Sequence, residues 1–179
     1  MTMTPWARKL GLTAHVSSSV GWFGSVAAFL ALAISGLRSE QTEIVRAAYL
    51  AMDMIGWFVI VPLSVASLLT GLVQALGTSW GLFRHYWVVV KLLITVFATA
   101  LLLIHMQPVG HLARVVAIRT LEDGELAGLR IQLIADAGAA LVALLFAAIL
   151  SVYKPAGRTR YGWRKLREEL PAKESVGSA

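Results

Sequence analysis

The sequence predicts an all-α fold, a polytopic membrane protein built as a four-transmembrane-helix bundle, and three observations carry that prediction. Of 179 residues, 58% are hydrophobic and 15% charged, whereas soluble domains stand near 45–50% and about 25%. The apolar excess falls into four blocks, at about 12–37, 48–73, 87–106 and 131–153, and each reaches the roughly 20 residues that cross about 30 Å of hydrocarbon. The blocks lack the strict alternation of barrel strands. Backbone groups in lipid must find partners within their own segment, so each block is a helix. Residues 1–153 form one transmembrane domain, and 154–179 a basic tail.

The first span follows Arg8 and Lys9, and Ala31-Leu32-Ala33 has the form of a signal cleavage site. Its apolar stretch exceeds the roughly 7–15 residues of a signal peptide's core, so a retained span is expected. Within it His15, Ser18, Ser19 and Trp22 are spaced i, i+3, i+4, i+7 and share one face. Ser17, Gly21 and Gly24 form a neighbouring stripe of small residues that lets another helix approach. A short polar connection, Arg38 to Arg46, leads to the second span, where Pro62 predicts a kink. The next connection, "QALGTSWGLFRHY", is rich in glycine and aromatics and fits the interface.

The third span holds the least expected residue. Lys91 lies one turn inside an apolar run, where a charge costs up to about 2.5–3.5 kcal/mol, less near the interface. Thr95 and Thr99 follow at i+4 and i+8, and His105 returns to within about 40° of the same line. A polar stripe turned to lipid could not be satisfied. Lys91 is therefore expected to face the bundle, towards the first span, at the depth of His15 and within about 12 Å of it. The long connection from Gln107 to Arg130 contains "HLARVVAIRTLEDG", whose helical spacing predicts a helix on the membrane surface. Asp53 and Asp136 lie near the outer ends of the second and fourth spans, with His105 and His111 at the same level; Met52, Met54 and Met106 share it. The final "PAKESVGSA" is expected to be disordered. A faint echo, "VGWF" (20–23) and "IGWF" (55–58), reads as shared packing chemistry.

Lys and Arg placement sets the orientation. Arg8, Lys9, Arg84 and the tail residues Lys154, Arg158, Arg160, Arg164, Lys165, Arg167 and Lys173 lie on one side. The other two connections balance their charges, Arg38 and Arg46 against Glu40 and Glu43, and Arg114, Arg119 and Arg130 against Glu122, Asp123 and Glu125. Both termini are therefore expected in the cytoplasm, with Trp80, Tyr86, Trp87, Tyr153 and Trp163 as an interfacial belt on that face. The net charge of +6 sits mostly in the tail, which favours contact with anionic lipid over nucleic acid. The chain has no cysteine, which excludes disulfides and thiolate chemistry.

His15, six residues, then Trp22-Phe23-Gly24 resembles the first helix of the HemJ-type protoporphyrinogen oxidases and the CopD copper-resistance membrane proteins. Trp87, three residues, Lys91-Leu92-Leu93 and a histidine near the helix end resemble the third helix of HemJ. Over residues 12–153 the chain is most similar to the bacterial DUF2269 membrane proteins, which implies a bacterial inner membrane. The HemJ resemblance implies that His15 is a haem b ligand and that Lys91 is needed for activity. The arginine and tyrosine-histidine pair of HemJ's first helix are replaced here by "FLALAISGL", which argues against porphyrinogen oxidation.

Three readings of function follow. In the first, haem b is held by His15 for redox or haem handling, with Ser18, Ser19 and Trp22 beside it, Lys91 on a propionate and His85 as a candidate second axial ligand. In the second, copper is bound or transported at the outer side by His105, Met106 and His111, whose imidazoles and thioether suit Cu(I). In the third, the chain is a non-catalytic structural or accessory membrane subunit whose polar stripe is glue between helices, and a homo-oligomer or larger membrane complex is its expected setting.

Overall fold

The computed structural model describes residues 3–77, 81–119, 126–155 and 157–176, with side chains as far as Glu168. Trp80, Glu122, Asp123, Glu125 and the last three residues of the tail lie outside the described residues. Helix α1 spans Pro5–Arg38. Thr4 accepts the Ala7 N–H at 3.4 Å and Pro5 fills the first turn, the residue types that start a helix. Helix α2, Thr42–Ile55, passes through a π-helical turn, Gly56–Ile60, into α3, Val61–Gly77. Helices α4 (Tyr86–Ile118), α5 (Ala127–Tyr153) and α6 (Arg160–Val176) complete the chain.

Four helical stretches are long and apolar enough to cross a membrane: α1, the continuous Thr42–Gly77, α4 and α5. The protein is an integral membrane helix bundle. Its surface fits lipid: Phe58, Phe97 and Val142 are 77%, 70% and 69% exposed at mid-helix positions. α1 packs against α2, α3 and α5, and α4 packs against the same three. The first and third spans thus sit on one diagonal of the bundle, the second and fourth on the other. Trp22, Val26, Phe29 and Ala33 of α1 meet Tyr49, Met52, Met106, Leu133 and Ala137 in the core.

The second span is distorted at its proline, and one expectation is corrected. The distortion in the second span is a π turn ahead of Pro62, with the Val61 N–H reaching back to the Gly56 carbonyl. Proline lacks an N–H and crowds the carbonyl four residues back, and the wider turn opens the ladder at that point. The stretch after Met106 is no surface helix. α4 runs on through Pro108 to Ile118, because Val109, Leu112, Ala113 and Val116, at i, i+3, i+4, i+7, bury a continuing stripe within the bundle. In the tail, α6 continues to Val176.

At one end of the bundle, here the inner end, Met3 N–H donates to the Gly77 carbonyl at 3.2 Å and Tyr86 N–H to the Gly157 carbonyl at 3.4 Å. Thr159 pins α6 there: its N–H donates to the Arg84 carbonyl at 3.0 Å, and its hydroxyl accepts the Gly162 N–H at 3.0 Å. At the outer end two arginines close helix termini. Arg130 donates to the Gly36 carbonyl of α1 at 2.5 Å and to the Tyr49 hydroxyl at 2.9 Å. Arg46 donates to the Ala117 carbonyl of α4 at 2.7 Å. The last carbonyls of a helix have no partner of their own, and a cation there also meets the negative end of the dipole.

Candidate functional site

His15 and Lys91 meet towards the inner end of the bundle. Lys91 Nζ lies 3.2 Å from His15 Nε2, so the lysine faces inward, towards α1 and at its depth, as its stripe predicts. The contact crosses the diagonal between the first and third spans. The hydrogen-bond partners settle the ring's tautomer. His15 Nδ1 lies 3.1 Å from the Ser67 carbonyl and 3.1 Å from Thr70 Oγ1. A carbonyl only accepts, and the Thr70 hydroxyl spends its own proton on the Ala66 carbonyl at 2.6 Å. Both neighbours therefore accept, the proton is on Nδ1, and Nε2 keeps a lone pair. Lys91 donates to that lone pair, and the ammonium has two further N–H groups.

The second span supplies what the sequence reading left out. Ser64, Ser67, Thr70, Gly71 and Gln74 recur at i, i+3, i+6, i+7, i+10, within about 120° of one another on the helix. This small polar stripe was readable by the same spacing rule. Ser19 and Ser67 share a hydrogen bond of 2.7 Å, and a Cβ at Gly71 would stand 3.0 Å from His15 Cε1. The missing side chain at Gly71 lets the imidazole approach α3 closely. Ser18 turns back to its own helix, on the His15 carbonyl at 3.1 Å.

A cavity of about 370 Å³ opens beside the pair. Arg8, Lys91 and Lys154 line it, with Gln74, Ser67 and Ser151, and there is no carboxylate among its described lining residues. Leu12, Leu68, Leu72 and Trp87 form its apolar wall. The electrostatic character is cationic, with an amphipathic boundary. His85 stands at the start of α4, in an antiparallel bridge with Arg158, and does not line the cavity. Trp22 is buried and lines a second cleft, nearer the outer side.

A haem held through His15 does not fit these side chains. A metal bound to imidazole stands about 2.0–2.1 Å from the nitrogen, as zinc does, and Lys91 occupies that lone pair. The one remaining nitrogen is committed to Ser67 and Thr70.

The outer residues separate. His105 Nδ1 lies 3.0 Å from Asp136 Oδ2, and the His105 ring tilts against Phe29 with centroids 6.3 Å apart. Met106 is buried against Gly56, where a Cβ would stand 2.6 Å from its sulfur. His111 is exposed. The three candidate copper ligands point three ways, and among the described residues there is no group of three His, Cys, Asp or Glu side chains placed to hold a metal. No family model, no curated protein and no solved structure matches the chain.

Proposed function

We propose that this membrane protein binds an anionic amphiphile at its inner end, with the acidic head in the cavity beside Lys91 and the apolar part along Leu68, Leu72 and Trp87. One observation carries the reading: three cationic side chains, Arg8, Lys91 and Lys154, line a cavity with no carboxylate among its described lining residues. Lys91 has two N–H groups left after His15, and a half-buried ammonium gains most from an ionic acceptor. Acidic lipids and haem b, through its propionates, share this chemistry. The resemblance of His15 and Lys91 to HemJ supports haem as a candidate, bound as an anion at Lys91 with no iron bond at His15. The copper reading has no comparable support, since its three residues diverge.

The test is purification in mild detergent, with extraction and mass spectrometry of whatever co-purifies, for the wild type and Lys91→Met. An anionic amphiphile should accompany the wild type. Its occupancy should fall about tenfold or more in the variant, as loss of a charged hydrogen bond worth about 1.5–3 kcal/mol requires. A Soret band in the absorption spectrum identifies haem, and a phosphorus-containing lipid the other member of the class. A wild type with no anionic ligand, or a variant that retains it, sinks the reading. We further propose that the chain lies in a bacterial inner membrane with both termini in the cytoplasm, and that α6 touches anionic lipid. Support comes from the basic residues Arg160, Arg164, Lys165 and Arg167 with Tyr161 and Trp163, the composition of an interfacial helix.

A further inference from the structure

The second cleft contains a histidine whose chemistry the inner site does not use. His105 Nδ1 lies 3.0 Å from Asp136 Oδ2. A carboxylate accepts, so the ring proton sits on Nδ1 and Nε2 carries a lone pair. That nitrogen is shielded from solvent and has no hydrogen-bond partner among the described residues. Buried polar atoms are normally paired, and none of the described residues supplies this donor.

The surroundings define the donor. A cleft of about 300 Å³ lies between α4 and α5, floored by α1. Trp22, Phe29, Phe97 and Leu101 line it, and alanines at 137 and 140 keep the α5 wall thin. Phe97 and Leu101 are 70% and 46% exposed, so the cleft opens sideways into the bilayer. A ligand that enters there is lipid-soluble. About 150 Å³ encloses one benzene ring, so the cleft takes one substituted ring and is too small for a porphyrin. Aromatic edges at Trp22 and Phe29 favour an aromatic ring.

We propose that this cleft binds the ring of a lipid-soluble phenol or quinol, whose hydroxyl donates to His105 Nε2 while Asp136 holds the imidazole in place. The lone pair makes the site selective. A quinol offers O–H donors, whereas the corresponding quinone offers only acceptors and leaves Nε2 unpaired. The site is independent of the inner cavity and of what that cavity binds.

The test uses the full chain in nanodiscs, with a decyl-substituted benzoquinol and its oxidised benzoquinone as probes. Binding is read by calorimetry and by the ¹⁵N shift of the His105 ring. The quinol should bind at least about tenfold more tightly than the quinone (about 1.4 kcal/mol) and shift the Nε2 resonance. His105→Phe, which keeps an aromatic ring, should abolish that preference. Ala140→Phe, which fills the cleft and leaves His105 intact, should abolish quinol binding. Equal affinity for the two probes overturns the proposal without any variant. Unaltered quinol binding in Ala140→Phe, or an Nε2 resonance that does not move, overturns it as well.

Discussion

Lys91 and His15 depend on each other unequally. Without His15, the half-buried ammonium is left with no partner among the described residues, and stranding a charge costs more than stranding a neutral group. Without Lys91, a neutral imidazole loses one bond and keeps two, at about 1–3 kcal/mol. His15→Phe should therefore lower thermal stability in detergent more than Lys91→Met. The double variant should be more stable than His15→Phe alone, since it removes the stranded charge. A double variant less stable than either single one would contradict the pairing. The pair was legible in the sequence, because the polar stripes of the first and third spans enter from one side and cannot be satisfied by lipid. Ser67 and Thr70, which fix the tautomer, were less visible. Serine and threonine carry no charge that a bilayer would make conspicuous, so only their spacing marks them. The His105–Asp136 pair was missed for a related reason: both residues lie near the outer ends of their helices, where solvation by water is an equally good account of a polar group.

At the scale of the element, the π turn at Gly56–Ile60 is one residue more than an α-helix needs. It sets the rotation of α3 relative to α2, and so turns Ser67, Thr70 and Gly71 towards His15. Phe58 lies in the turn and is 77% exposed, so its deletion removes the extra residue without opening the core. Deletion of Phe58 should be tolerated with a small loss of thermal stability. Deletion of Leu69, which lies within α3, should leave little folded protein, because it rotates everything beyond it by about 100°. Similar yields of the two deletions would show that the wide turn does not set the register. Four spans were readable from composition, but their ends were not. α1 and α4 are 34 and 33 residues long, about 50 Å at the helical rise, and both outrun the hydrocarbon. Hydropathy marks only the part within the membrane. The extension of α4 is written in the periodicity of Val109, Leu112, Ala113 and Val116, a pattern that also fits a helix lying on the surface. Only the facing partner decides between the two.

Polar stripes on α1, α3 and α4 face the inside of the bundle and large apolar side chains such as Phe58 and Phe97 face outward, and Met3 and the start of α6 meet at one face with Gly77 and Tyr86. Reporters fused after Ala179 and within residues 74–86 should therefore register on the same side, predicted to be cytoplasmic, and those near Glu40 and Glu122 on the other. A C-terminal reporter outside the cell would invert the assignment of both sites. The diagonal placement of His15 and Lys91 also bears on how the protein is made. Chains leave the ribosome from the N-terminus, so α1 and α3 exist before Lys91 is synthesised. Ser19, Ser67 and Thr70 can close around His15 as soon as those two helices are in the bilayer. The third helix then carries its ammonium into a membrane that already holds an acceptor at the right depth. The order of the helices in the gene makes the most costly residue to insert the last member of its own binding partner's site to arrive.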